Sequence, residues 1–367
     1  MKISRFPRVG SAVMVGALAL SLAACGSDPG AADPAGEGSE SGTGLSGELN
    51  GGGASSQESA MEAWRAGFQS ANPDVTVNYD PVGSGGGRES FISGAYPFAG
   101  SDAALEDDEL ADAEAQCGEG GVIQYPAYIS PVAVAFNLEG VDTLNMPAET
   151  IAGIFAGEIT AWDDEAIAAD NPDAELPSTD ITVVHRSEDS GTTENFQEYL
   201  HTVVPDVWTW EAEGIWPIKG QESAQGTSGV VSAAQAGEGT ITYADASQID
   251  DLGTVAVGVG DDFVEYSPEA AAAVVEDSPR VEGTSESVFA YDLQRDIAGT
   301  YPIVLVSYHL ACGTYEDAAT ADLVKGLYTY ILSDEGQAKA AESAGSAPLP
   351  TSLTEQFLPA VEAITAG

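Results

Sequence analysis

The chain is short of positive charge: its 367 residues carry 11 Lys and Arg against 59 Asp and Glu, a formal net charge of −48. A surface of that sign repels nucleic acid and anionic membrane, so neither is expected as a partner. Two explanations of the acidity stay open, a high-salt or otherwise demanding external environment and a compositional habit of the source genome. Imidazole is equally scarce, with His185, His201 and His309 as its entire supply. No H-E-x-x-H, D-x-D-x-D-G, G-x-S-x-G or G-K pair occurs, which removes the familiar zinc, calcium, serine-hydrolase and P-loop signatures. The acids are scattered in surface groups, and neither a metal nor a cofactor is expected. The chain also lacks a repeat of fixed period and, beyond its first residues, any apolar run long enough to span a membrane.

What is present starts at the N-terminus. Lys2, Arg5 and Arg8 precede an apolar run from Val13 to Leu22, with no acid before Asp28. The run is too short for a spanning helix and small residues follow it, which predicts an export signal over 1–24. Leu22-Ala23-Ala24-Cys25 resembles the bacterial lipobox, implying that Cys25 becomes a lipidated N-terminus on the outer face of the cell membrane. Residues 25–44, rich in Gly, Ser, Ala and acids, cannot build a core and read as a flexible tether. Gly42-Thr43-Gly44-Leu45-Ser46-Gly47 spells a dinucleotide fingerprint, but no strand precedes it and no helix is expected after it, so it is set aside. With Cys25 spent on lipid, Cys117 and Cys312 remain as an even pair in an oxidising compartment, and a disulfide is the default expectation.

Three turns carry the chemistry. The β-branched run Ile181 to Val184 leads through His185-Arg186-Ser187-Glu188-Asp189 to Ser190-Gly191-Thr192, after which Phe196, Tyr199, Leu200 and Val203 recur at helical spacing. Ser190 falls where an N-cap hydroxyl belongs, and the first-turn N–H groups of Gly191 and Thr192 have no intrahelical acceptor. Those donors, the positive helix end and the Arg186 fork favour a tetrahedral anion. Upstream, Gly51-Gly52-Gly53-Ala54-Ser55-Ser56 precedes a helical pattern, with Glu58 three residues after Ser55 as in a capping box. Gly83-Ser84-Gly85-Gly86-Gly87 follows the strand-like Val75 to Tyr79 and places Ser84 at the start of a third helix. A single Ser-Gly turn of this kind is usually only a cap; three in one chain make a shared anion site the better reading.

Strands are predicted over Val75 to Tyr79, Gly121 to Tyr125, Pro131 to Asn137, Ile181 to His185, Thr240 to Tyr243 and Ile303 to Tyr308. Helices are predicted over 55–70, 87–95, 105–114, 148–156, 163–169, 191–204, 228–236, 267–275, 285–298, 317–332 and 334–343. The alternation argues an α/β layered fold. The Trp208-Thr209-Trp210 and Trp216-Pro217 cluster is assigned to packing, because no basic residue interleaves it.

Together with these turns, Gly100-Ser101-Asp102 before acidic helical residues, Ile159-Thr160-Ala161-Trp162-Asp163-Asp164-Glu165-Ala166-Ile167, and Leu176-Pro177-Ser178 ahead of the strand to Arg186 are similar to the phosphate-binding lipoproteins of bacterial phosphate ABC importers. The resemblance covers nearly all of the chain after residue 45. It implies a two-lobed periplasmic-binding-protein fold of type II, with the ligand cleft between lobes. Lobe one would comprise 45–127 and 304–367 and lobe two 128–303, with crossing segments near 126–130 and 300–304; Cys117 and Cys312 would then share lobe one. The implied phosphate ligands are Ala54, Ser55 and Ser56, Ser84, Asp102, and Arg186, Ser190, Gly191 and Thr192. It further implies a monomer that delivers phosphate to the membrane subunits of an ABC permease and touches the membrane by its lipid anchor alone. Two departures stand out. The family's first turn commonly ends in Thr-Phe, where this chain has Ser55-Ser56, and its third commonly reads Arg-x-Asp-Gly-Ser-Gly-Thr, where Glu188-Asp189 replaces Asp-Gly.

Asp102 has a physical argument of its own. A carboxylate aimed at a tetrahedral dianion repels it unless the ligand brings a proton, which phosphate keeps near neutrality and sulfate does not. An acid in the site therefore filters out the unprotonated competitor, molybdate included, while arsenate shares phosphate's proton and stays open. The alternative is that Asp102 caps a helix beginning near Ala104. Arg186 could likewise be absorbed in a surface ion pair, and Glu188 and Asp189 could orient it by a side-chain pair. The rival functions are a Ser-dependent phosphohydrolase or esterase using Ser190 or Ser84, and a ligand-free adhesin-like lipoprotein on the same fold. The first lacks a base, since His185 should point to the face of its strand opposite Arg186.

Overall fold

The computed structural model describes residues 44–281 and 285–367. The export signal, Cys25 and almost all of the tether lie outside the described residues. The strands are β1 (Gly47–Gly53), β2 (Val75–Asp80), β3 (Phe98–Ser101), β4 (Val122–Phe136), β5 (Thr143–Met146), β6 (Thr182–Arg186), β7 (Glu222–Ala224), β8 (Thr240–Asp245), β9 (Gly253–Val259), β10 (Asp262–Val264), β11 (Val304–Cys312), β12 (Thr314–Tyr315) and β13 (Thr365–Ala366). The helices are α1 (Glu58–Ala71), α2 (Ser84–Ile92), α3 (Asp107–Cys117), α4 (Ala148–Ala156), α5 (Glu165–Asp170), α6 (Gly191–Val203), α7 (Gly226–Ala236), α8 (Pro268–Asp277), α9 (Ala318–Leu332), α10 (Asp334–Ala344) and α11 (Thr351–Glu362).

One sheet of the described residues runs β2-β1-β3-β11-β4-β8-β6-β7, with β9 also on β4 and carrying β10 and β5. Its two halves meet along β4. The stretch Val122 to Pro131 pairs antiparallel with β11, and Val132 to Phe136 pairs with β8 and β9. Each half holds parallel pairs fed by crossover helices, β1 with β2 and β3 in one and β6 with β7 and β8 in the other. The fold is thus mixed α/β and two-lobed, as expected. The turns that leave β1, β3 and β6 lie at the carboxyl ends of these strands, where open α/β sheets bind ligands.

Four expectations are corrected. Gly51 to Gly53 belong to a strand, because only glycine fits there: Gly53 has φ +138, and a Cβ on it would stand 1.9 Å from the Gly100 carbonyl oxygen. The two strands expected over Gly121 to Tyr125 and Pro131 to Asn137 are one, β4, whose 15 residues are all buried. Residues 285–298 form no helix, since their backbone bonds go elsewhere: Gln124 N–H donates to Ser287 O, Phe289 N–H to Gln124 O and Asp292 N–H to Pro279 O. Helix α11 was not foreseen; Pro350 stands just before it, Pro359 lies inside it, and Phe357 and Val361 form its buried face.

Cys117, at the end of α3, and Cys312, at the end of β11, are bonded across 195 residues of chain. Restricting so long a loop in the unfolded ensemble contributes up to about 5 kcal/mol by chain entropy. The double variant Cys117→Ser/Cys312→Ser is expected to lose about 3 to 5 kcal/mol of unfolding free energy in urea. A midpoint equal to that of the parent would show that the bond closes a region already fixed without it.

Candidate anion site

The third turn forms as its sequence reads. β6 is driven inward by buried Val183 and Val184 and delivers Arg186 into the interior, where it is 2% exposed. Ser190 caps α6, its hydroxyl accepting from Thr193 N–H at 3.3 Å. Glu188 holds the guanidinium: its Oε1 accepts from Arg186 Nε at 2.8 Å and from Nη2, and also from Gly226 N–H at 2.9 Å. The replacement of Asp-Gly by Glu188-Asp189 therefore keeps a carboxylate on Arg186. Asp189 faces Arg88 of α2 at 3.6 Å instead. His185 turns away, with Nδ1 on the Arg186 carbonyl at 2.8 Å and its ring stacked on Trp216. Trp208, Trp210 and Trp216 pack on one another and on Phe155, Phe196 and Tyr243.

The first turn corrects two expectations. α1 starts at Glu58, and Ser55 does not cap it. The Ser55 hydroxyl accepts from Thr227 N–H at 3.0 Å and lies 3.1 Å from Thr227 Oγ1, a contact between the two halves of the sheet that local pattern cannot reveal. Ala54 has no N–H to spare: it donates to Gly100 O at 2.8 Å, and the Ala54 carbonyl accepts from Tyr79 at 2.9 Å. Its part is to fix the turn. In the second turn, Ser84 is the first residue of α2 and its hydroxyl accepts from Asp102 N–H at 3.1 Å.

Asp102 is where the three turns meet. Its Oδ1 accepts from Ser56 Oγ at 2.7 Å and its Oδ2 from Thr192 Oγ1 at 3.0 Å. Gly191 lies so close that a Cβ there would stand 2.6 Å from Asp102 Cβ. Asp102 does not cap a helix, because α3 begins at Asp107 with Glu106 as its cap. Burial raises the proton affinity of its carboxyl, and the hydroxyls of Ser56, Ser307 and Thr192 and the charge of Arg186 oppose that rise. Among the described residues no protein acceptor takes the N–H groups of Ser55, Ser56, Ser84, Gly191 or Thr192. Ser190 N–H is engaged by Gly214 O at 3.0 Å, leaving its hydroxyl as the group that can face a ligand. The arrangement is a set of buried donors around one buried acceptor, with a guanidinium at its edge.

Thr227, Gln248 and Ser307 join the site without having been singled out. Gln248 Nε2 donates to the carbonyls of Ser55 and Ser56 at 2.9 and 3.1 Å. Thr227 had a readable signal, for Gly226-Thr227-Ser228 opens α7 as the other turns open their helices. Gln248 and Ser307 carry none.

At the rim, Glu194 of α6 is pushed up to about 7 from its usual 4.5 by burial, with Asp189, Glu106 and Glu198 adding and Arg88 opposing. Burial likewise raises Asp245 from 3.8 to about 6. A carboxyl that holds its proton more tightly folded than unfolded gives stability that is full below the unfolded pKa. That stability is lost as pH rises, here from about 4 to 7. Glu194→Gln is accordingly expected to remove the upper part of this decline and to stabilise the protein at pH 8 by about 1 to 2 kcal/mol, allowing for solvent at the half-buried side chain. Thermal midpoints that track the parent's from pH 6 to 8 would count against it.

A two-lobed α/β protein with buried donors converging between its halves is the architecture of a solute-binding protein. Residues 36–335 match the family model described as a PBP superfamily domain. The chain is 33% identical over 380 residues to phosphate-binding protein PstS 3 of Mycobacterium tuberculosis, covering 99% of this chain and 100% of the relative. It is 30% identical over 318 residues to phosphate-binding protein PstS of Xylella fastidiosa, covering 84% of each. The chain belongs to the PstS family of phosphate-binding proteins. Its fold also matches a solved structure of the high-affinity periplasmic phosphate-binding protein PfluDING bound with phosphate, with a TM-score of 0.68 at 24% identity over 84% of this chain and 92% of that one.

Proposed function

We propose that the protein captures inorganic phosphate outside the cytoplasm and delivers it to an ABC-type permease, and that it is not an enzyme. The observation that carries this reading is the Asp102 carboxylate, held by hydroxyls from two separate turns beside free main-chain N–H groups. Such a site pairs the oxygens of an anion with donors and its remaining proton with an acceptor. In this reading Ser55, Ser56, Ser84, Gly191 and Thr192 give main-chain donors, Ser84 and Ser190 give hydroxyls, and Arg186 gives the charge-assisted fork. Lobe one would hold 45–127 and 304–367 and lobe two 128–303. The change of partners along β4 near Pro131 and Val132 is consistent with a boundary in this region. The bonds of Ser55 with Thr227 and of Asp102 with Thr192 fit closure of the cleft on its ligand.

Against hydrolysis, no imidazole among the described residues is bonded to the hydroxyl of Ser84 or Ser190, which accept from Asp102 N–H and Thr193 N–H. No helix among the described residues is long and apolar enough to cross a membrane, and attachment through a lipidated Cys25 as a monomer completes the reading. Titration with phosphate in the presence of excess sulfate tests it: one phosphate should bind per chain and sulfate should fail to displace it. Absence of phosphate binding, or turnover of a chromogenic phosphate ester, would replace this reading with the adhesin or the esterase.

A further inference from the structure

Behind Asp102 lies a file of buried polar groups of which the phosphate site as described uses only Ser307. Gln57 follows the first turn, and Ser307 and His309, two apart on β11, face the same side of the sheet. All three are 0% exposed. His309 Nε2 stands 2.8 Å from Gln57 Oε1 and Gln57 Nε2 donates to Ser307 Oγ at 2.9 Å, while Ser307 and Asp102 adjoin the Tyr308–Ser101 pair of β11 and β3 and the Ser307 hydroxyl favours the charged form of the Asp102 carboxyl. The His309 ring is enclosed by Trp64, Tyr125 and Tyr328, with centroids at 5.5, 5.8 and 5.0 Å. Its Nδ1 finds no partner among the described residues.

The orientation of the Gln57 amide fixes the direction of the file. With the amide oxygen toward the imidazole, Nε2 must carry the ring proton. With the amide nitrogen toward Ser307, the serine lone pair is occupied and its own hydrogen is left for Asp102. Burial drives the His309 pKa down to about 3, so the ring is neutral and its single N–H is spent on Gln57.

We propose that His309, Gln57 and Ser307 form a one-way chain of donors that holds Asp102 as an acceptor and thereby sets the preference of the site for a protonated anion. The inference rests on the phosphate reading above. None of the three touches the anion; they are positioning residues. A buried carboxyl tends to take up a proton, and once protonated it would donate to a bare sulfate oxygen as readily as it now accepts from phosphate. Ser56 and Thr192 supply two hydroxyl donors against that outcome, and Ser307 supplies the third. The charged or titratable groups coupled to Asp102 are Arg186, which opposes its protonation, and Asp245 and Tyr79, whose ionisation its charge disfavours.

The test has two arms on the full-length protein. Long-range proton–nitrogen spectra of the imidazoles, with the His309 signal identified by its loss in His309→Phe, should show the Nε2–H tautomer unchanged from pH 5 to 8. An Nδ1–H tautomer would mean that the chain runs the other way and the proposal is wrong. Calorimetric affinities for phosphate and sulfate at pH 6 form the second arm. Ser307→Ala should lower the phosphate-to-sulfate ratio roughly tenfold and Ser307→Thr should restore it to within about twofold of the parent. A ratio unchanged in Ser307→Ala overturns the proposal even if phosphate binds as expected. A parent protein that binds no phosphate would sink the underlying reading and the selectivity claim with it, while the tautomer would still report the direction of the chain.

Discussion

Arg186→Ala is expected to bind phosphate at least about a hundredfold more weakly than the parent, the largest loss from any single side chain in the site. Two effects add. The variant loses charge-assisted hydrogen bonds worth about 1.5 to 3 kcal/mol each. It also leaves the Glu188 carboxylate, 16% exposed, without the guanidinium that neutralised it. Ser84→Ala removes one neutral hydroxyl while the main-chain donor of that turn survives, so its loss should stay within about tenfold. Arg186→Lys keeps the charge but not the fork seated on Glu188, and should fall between the two. Calorimetry with phosphate decides the order, after thermal melting has shown that each variant is folded. Arg186→Ala binding within about twofold of the parent would mean that Arg186 serves only its ion pair with Glu188.

The third turn was legible because the forces that start its strand and its helix are local. β-branched residues make β6, a free hydroxyl caps α6, and the helical spacing of Phe196, Tyr199 and Leu200 buries one face of that helix. The first turn was half legible. Ser55 and Glu58 satisfy a local capping pattern, but Thr227, far away in sequence, takes the Ser55 hydroxyl and α1 starts later. β1 was hidden because glycine has poor strand propensity. Gly51 and Gly53 are explained by the close approach of β3, where Phe98 and the Gly100 carbonyl occupy the space a Cβ would need, and Gly52 by the Asp80 carbonyl of β2. The helix expected over 285–298 failed for a related reason, for its apolar residues serve a tertiary bridge to Gln124 and a contact of Phe289 with Phe357. What the sequence could not carry in each case was a long-range partner.

Asp102→Asn should bind sulfate where the parent does not, and the phosphate-to-sulfate ratio should fall by about a hundredfold or more. The carboxylate now meets Ser56 at 2.7 Å and Thr192 at 3.0 Å, both as donors, and can offer a ligand only a lone pair. An amide of the same shape can turn its N–H toward a bare oxygen, and the two hydroxyls can rotate to donate or accept as the amide requires. The change therefore removes repulsion toward sulfate and the accepted proton of phosphate together, each a charge-assisted contribution of about 1.5 to 3 kcal/mol. Because α3 is capped by Glu106 and starts at Asp107, the substitution leaves that helix its own cap. Competition titrations of phosphate against sulfate, run on parent and variant at the same pH, read the ratio directly. Exclusion of sulfate by the variant as complete as that of the parent would show that cavity shape, and not the proton on the ligand, selects the anion.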